Sequence, residues 1–295
     1  MSGRSSNAAA RARPPARLTL VGPQLIGIVN ITEDSFSDGG RFLDPAAAVA
    51  QARHLATEGA SIIELGAAAS NVAARPVGAA EEIRRLAPAV AALVSDGIPL
   101  AVDSFEPEVQ RWALGCGVSF LNDIHGFPDP AMYPALAAAP RLIVMHAVQE
   151  RGRAQRQDLP AGVVLRRIHA FFKARIAALT AAGVARDRLI LDPGMGFFLS
   201  SRPEASLRAL AAIGRLKGAF GLPVLVSVSR KSFLGAVAGR KNPRELGAAT
   251  LAAELFAAAS GADYIRTHDP GALRDALRVG AALRKEARRL RPISA

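Results

Sequence analysis

EGASIIELG (58–66), GCGVSFLND (115–123) and SGADYIRTH (260–268) share one layout: a glycine, a small residue, an apolar run, and a polar side chain near its end. A glycine before an apolar run closes a helix, because glycine takes the left-handed backbone of a helix end at no steric cost. Each copy therefore reads as the junction from a helix into a buried strand. Working outward, apolar runs at 24–30, 61–66, 98–103, 118–123, 141–146, 188–192, 222–229 and 262–268 read as strands. Between them lie Ala-, Leu- and Arg-rich stretches of helical period at 45–59, 79–95, 107–116, 130–139, 160–182, 203–220, 243–260 and 270–290. Asp44-Pro45, a capping residue followed by proline at the first helical position, marks the first helix start. Eight strands each followed by a helix predict an α/β fold, a single-domain (β/α)8 TIM barrel. An open doubly wound sheet would carry a glycine-rich phosphate loop after its first strand, and VNITEDSFSDGG (29–40) is not one.

The chain has 295 residues, half of them apolar, which is enough for one sizeable core. Its net charge of +12 raises the question of a polyanionic partner. Aromatic residues make up only 5%, too few for base-stacking platforms. Nine units of the net +12 fall in residues 1–17 and 271–295, which leaves +3 on the barrel body. We therefore expect no nucleic-acid partner. One cysteine, Cys116, rules out an internal disulfide framework and suits a reducing compartment. No stretch has the length of a membrane span, and residues 1–17 lack the apolar core of a secretory signal. The expected organisation is a basic N-terminal tail at 1–20, a barrel at 21–290 and a short tail at 291–295, with a cytoplasmic location and no membrane partner.

The active site of such a barrel is built from the C-terminal ends of its strands. Those ends carry Asn30, Glu64, Asp103, Asn122 with Asp123, His146, Asp192, Ser229 with Arg230 and Lys231, and Arg266 with His268. Polar residues at all eight ends point to a functional mouth. Neither a His-Glu-x-x-His zinc motif nor a Gly-x-Ser-x-Gly elbow is present, so hydrolysis by a histidine cage or a serine nucleophile has no support. Carboxylates and carboxamides (Asp103, Asn122, Asp192) stand opposite cationic groups (Lys231, Arg266, His268). A carboxylate drawn into such a mouth needs N–H donors, and an amino-pyrimidinone edge offers two in parallel. Arg and His beside Asn suit a phosphate or pyrophosphate, with magnesium sharing the charge.

Six strings, GIVNITEDSFSDGG (27–40), VDSFEPEV (102–109), LNDIHGF (121–127), ILDPGMGF (190–197), VSVSRKSFLG (226–235) and ADYIRTHDP (262–270), resemble the dihydropteroate synthase family and occur in its order. GFPDPAMYP (126–134), LDPGMGFFLS (191–200) and AAASNVAARPV (67–77) resemble its sulfonamide-resistance branch. The resemblance implies condensation of (7,8-dihydropterin-6-yl)methyl diphosphate with 4-aminobenzoate, giving 7,8-dihydropteroate and pyrophosphate by an SN1-like path. It implies pterin contacts at Asp103, Asn122, Asp192 and Lys231, with Met145 as a pocket wall. Pyrophosphate contacts fall on Asn30, Arg266 and His268, with Mg2+ held at Asn30. The aminobenzoate side falls on Ser232 and Phe197, and a loop at 31–40 would close over the diphosphate. Relatives of this kind are commonly homodimers through their last helices.

The sequence also departs from the family's pattern. GAAASNVAARPVG (66–78) replaces a shorter Gly-Gly-Glu-Ser-Thr-Arg-Pro-Gly loop, so either Ser70 or, with a gap, Arg75 takes its aminobenzoate contact. Glu64 stands for a usual aspartate and Glu33 for a usual proline. Two other enzymes on this barrel fit less well. A lysine-dependent aldolase would use Lys231 as a Schiff base, and a pterin-binding methyltransferase would lack the VSRKS string.

Overall fold

The computed structural model describes residues 22–32, 43–69, 76–149, 152 and 154–290. Eight parallel strands run in the order β6-β5-β4-β3-β2-β1-β8-β7: β1 Gln24–Asn30, β2 Ile62–Gly66, β3 Leu100–Asp103, β4 Phe120–Asp123, β5 Leu142–Met145, β6 Leu189–Asp192, β7 Leu225–Val226 and β8 Tyr264–Thr267. An isolated bridge between Leu191 and Val224, with Leu191 N–H donating to Pro223 O at 2.9 Å, brings β7 against β6 and all but closes the barrel. The expected (β/α)8 barrel is the observed fold.

The helices are α1 Pro45–Thr57, α2 Ala79–Ser95, α3 Pro107–Gly115, α4 Tyr133–Ala138, α5 Ala161–Ala181, α6 Pro203–Ala211, α7 Ile213–Phe220, α8 Ser232–Ala238, α9 Gly247–Ala259 and α10 Pro270–Ala287. Asp44 caps α1 as its sequence indicates, its carboxylate accepting from the N–H groups of Ala46 and Ala47. Among the described residues three features differ from expectation. The helix expected over 203–220 is two, α6 and α7, breaking at Ala212 where Gly214 packs so close to Ser260 O that a Cβ would lie 3.2 Å from it. The strand expected over 222–229 forms a ladder only at Leu225–Val226, with a single bridge at Val224, because the N–H of Val224 is taken by the Asp263 carboxylate at 2.9 Å and the chain beyond turns toward Arg230, at φ 58. The short helix α8 follows that turn and lies inside what reads as a loop.

Side chains alternate between the barrel interior and the helix layer. One residue from each strand fills the lower interior: Ile26, Ile62, Ala101, Phe120, Ile143, Ile190, Leu225 and Tyr264. Outward residues such as Val29, Leu65, Val102 and Leu191 join the larger core against the helices. Two positions above the interior plug, the same parity of each strand brings up Ile28, Glu64, Asp103, Asn122, Met145, Asp192, Ser227 and Arg266, so an apolar floor carries a polar mouth. The expected tails at 1–20 and 291–295 lie outside the described residues.

Candidate active site

A cavity of about 730 Å³ opens above this floor. Asn30, Asp103, Met145, Asp192 and Arg266 line it from the strands. Phe197, Lys231, Ser232 and His268 line it from the segments that follow. Asn122 is fully buried just below, and its Nδ2 donates to Asp103 Oδ1 at 2.9 Å. Ser70 and Arg75, together with Glu33 and most of the loop at 31–40, lie outside the described residues.

Parity also decides what does not belong. Asp123 and His146 end their strands on the outward side. Asp123 accepts from Gln110 Nε2 at 3.0 Å and from the N–H of His125 at 2.7 Å. His146 Nδ1 lies 3.2 Å from Pro193 O, and its ring packs edge-on against Phe171 of α5. Burial lowers His146 to about 4, so it is a neutral structural group. His54 and His169 are exposed on helices, as their positions indicate.

The strand-end charges form one connected set. Arg266 reaches Glu64 at 2.7 Å and Asp192 at 3.5 Å, with all three side chains at or below 8% exposure. Burial works against the charge on Arg266, and Glu64, Asp192 and Asp103 more than offset it, holding the guanidinium above its ordinary value. Burial pushes Asp103 up to about 6, against the pull of Arg266. Asp192 is raised by the same cause, opposed by Arg266, by the N–H of Gly194 at 2.8 Å and by Lys231. Lys231 is lowered by burial to about 8, and its ammonium sits 5.3 Å above the Phe198 ring. Arg156 stands 5.3 Å over the neighbouring Phe197 ring. Carboxylates and cations thus interleave around the cavity, with Arg266 set between Glu64 and Asp192.

Four contributors escaped assignment from sequence. Glu64 was visible only as a polar strand end, and its ion pair joins strands far apart in the chain. Gln110 of α3 donates both to Ser104 O at 2.8 Å and to Asp123, tying the tops of β3 and β4 together. Arg240 and Lys241, beyond α8, reach the cavity rim because α8 exists. Only parity could have separated Glu64 from a surface charge.

A model of pterin-binding enzymes matches residues 26–268. The chain belongs to the pterin-binding enzyme family. It is 60% identical over 265 residues to a dihydropteroate synthase type-2 of Escherichia coli, covering 90% of this chain and 97% of that one. Among solved structures it resembles a Xanthomonas albilineans dihydropteroate synthase with 4-aminobenzoic acid, at a TM-score of 0.81 and 38% identity over 90% of this chain and 95% of that one. It also resembles a Yersinia pestis dihydropteroate synthase in a sulfonamide drug complex, at 0.83 and 30% over 91% and 96%. Within the family it groups with the dihydropteroate synthases. No described helix is long and apolar enough to cross a membrane.

Proposed function

We propose that the chain is a dihydropteroate synthase, a transferase that joins (7,8-dihydropterin-6-yl)methyl diphosphate to 4-aminobenzoate in folate biosynthesis. The observation that carries this reading is one cavity that brings together Asp103, Asp192, Lys231, Arg266 and His268, with Asn122 directly beneath and bonded to Asp103. Asp103 and Asp192 take the N–H donors of the pterin edge, while Lys231 and Asn122 meet its acceptors and Met145 walls the ring. Arg266, His268 and Asn30 face the diphosphate. The C–O bond between methylene and diphosphate breaks with its electron pair on the leaving group, and the pterin delocalises the resulting cation. The neutral arylamine nitrogen, seated by Ser232 and Phe197, then bonds to that carbon and loses one proton. Catalysis here is positioning and charge stabilisation, which explains the missing nucleophile–base pair.

Asn30 fits a divalent ion, which we take to be Mg2+. Asn30 lines the cavity, and a single neutral oxygen suffices where the substrate supplies phosphate oxygens. Such an ion would neutralise the diphosphate. Formation of dihydropteroate from the two substrates with magnesium tests the reading, together with Asp192→Asn and Lys231→Ala. Loss of most turnover in both variants is expected; full activity in both contradicts the assignment.

Two finer readings accompany it. Phe197 and Phe198, both on the cavity, narrow the aminobenzoate side and would reject the bulkier sulfonyl group of a sulfonamide by shape. Low-micromolar competitive inhibition of the purified enzyme by a sulfonamide would refute resistance and leave the synthase reading intact. Phe256 of α9 and Val279 and Leu283 of α10, 49–66% exposed, offer an apolar face for a homodimer. Sedimentation at micromolar concentration should give twice the chain mass, and Leu283→Glu should halve it.

A further inference from the structure

Arg156 brings to the cavity a charge that no carboxylate answers. Its Cζ lies 5.3 Å from the centroid of the Phe197 ring, both residues line the cavity, and among the described residues its guanidinium makes no hydrogen bond or ion pair. Other cations of the same cavity are committed. Arg266 is engaged by Glu64 and Asp192, Lys231 is held by the charges of Asp192 and Asp103, and Arg240 lies 3.7 Å from Glu245. The segment that carries Arg156, between β5 and α5, is laced to the one that carries Phe197, between β6 and α6. Val148 N–H donates to Phe198 O at 2.9 Å, Ser201 N–H to Gln157 O at 2.7 Å and Leu159 N–H to Ser200 Oγ at 3.1 Å. Arg202 and Asp158 add an ion pair across the same seam. The guanidinium and the ring are therefore placed together, as one wall.

We propose that Arg156 is a substrate-binding residue that receives the carboxylate of 4-aminobenzoate and so selects an acidic arylamine. The inference deepens the synthase reading above and rests on it for the identity of the amine. An arylamine packed on Phe197 with its nitrogen toward the pterin points its para substituent outward, to the rim where Arg156 is exposed. There a planar carboxylate meets a planar guanidinium, which offers it two parallel N–H groups, and a contact with the ring face leaves those edges free. The family resemblance places this side at Ser232, Phe197 and either Ser70 or Arg75. Among the described members of that set there is no cation, and Arg156 supplies one.

The test compares 4-aminobenzoate with its uncharged amide, 4-aminobenzamide, on the full-length enzyme. The apparent affinity of the amide is its KM if it is turned over and its inhibition constant if it only competes. Wild type should prefer the acid. Arg156→Met, which keeps a long apolar side chain against Phe197, should raise KM for the acid by about tenfold, as for loss of one charge-assisted hydrogen bond at an accessible site. The affinity for the amide and KM for the pterin diphosphate should hold, and Arg156→Lys should recover part of the preference. An unchanged acid-to-amide ratio in Arg156→Met overturns the proposal, and so does an equal loss for both amines, which assigns Arg156 to packing alone. Lys241, also on the cavity, is the rival cation, and loss of the preference in Lys241→Met with retention in Arg156→Met overturns it as well. A wild-type protein that makes no dihydropteroate from the acid would instead overturn the synthase reading.

Discussion

Two buried side chains set the geometry of the site without belonging to the expected contact set. Glu64 holds Arg266 at 2.7 Å inside the mouth. Its burial raises its proton affinity, Arg266 opposes that, and the nearby Asp103 and Asp192 add to it. Glu64→Ala would leave the guanidinium with Asp192 alone, and breaking a buried pair from one side costs about 3–5 kcal/mol. We expect a loss of this order in urea unfolding, with a smaller loss in Glu64→Gln, which keeps one acceptor. Equal stability of Glu64→Ala and wild type would mean that the pair contributes nothing. Gln110 gives a second prediction at this scale. Replaced by Met, it would leave Ser104 O and Asp123 short of a donor at a cost of about 1–3 kcal/mol. Because it ties the strand tops that carry Asp103 and Asn122, KM for the pterin should rise while KM for 4-aminobenzoate holds. A parallel rise in both would assign Gln110 to general stability.

The strand-to-loop junctions are the elements that turn this scaffold into a site. After β6, Gly194 has φ +73, and a Cβ there would come within 2.3 Å of His146 O. The same residue gives its N–H to Asp192 Oδ1. Gly194→Ala meets a left-handed backbone and a backbone clash at once, so we expect it to lower stability by about 2–4 kcal/mol and to displace Asp192. Thermal unfolding together with turnover checks this, and a variant with wild-type values for both would show that the loop can shift freely. Elements of this kind also mark where the sequence could be read and where it could not. The strands, α1 and the polar ends were legible because alternation, caps and helix-closing glycines are local signals. The break at Ala212, the short pairing of β7 and the helix α8 were not, because each is set by contacts from distant segments: Ser260 O against Gly214, the Asp263 carboxylate on Val224, and the core into which Phe233 and Leu234 of α8 are buried. For the same reason, polar strand ends were legible as a group, while the outward turn of Asp123 and His146 needed the exact phase of each strand.

For the whole molecule, the excess of positive charge lies toward the two ends of the sequence, whereas several acidic groups are buried inside the fold. Beyond the mouth, Glu82 on α2 and Glu254 on α9 are each only 1% exposed. Burial raises Glu82 to about 7, with Ser104 opposing and Asp103 and Glu106 adding. Burial raises Glu254 to about 7 as well, with Thr267 opposing and Asp269 adding. A carboxyl whose folded value lies above its ordinary 4.5 binds its proton more tightly in the native state. The contribution of these two carboxyls to folding stability therefore falls as pH rises from about 4.5 through about 7 and is flat above that window. Glutamine keeps the shape and a donor and removes the titration. Glu82→Gln and Glu254→Gln should each match wild type near pH 4 and exceed it at pH 8 by about 1–3 kcal/mol. The double variant should show about twice the gain, since the two sites lie on different helices and behind different strands. Urea unfolding at both pH values checks this. A gain that persists undiminished at pH 4 would mean that the glutamates destabilise the fold by packing, and no gain at pH 8 would mean that their carboxylates are fully compensated in the native state.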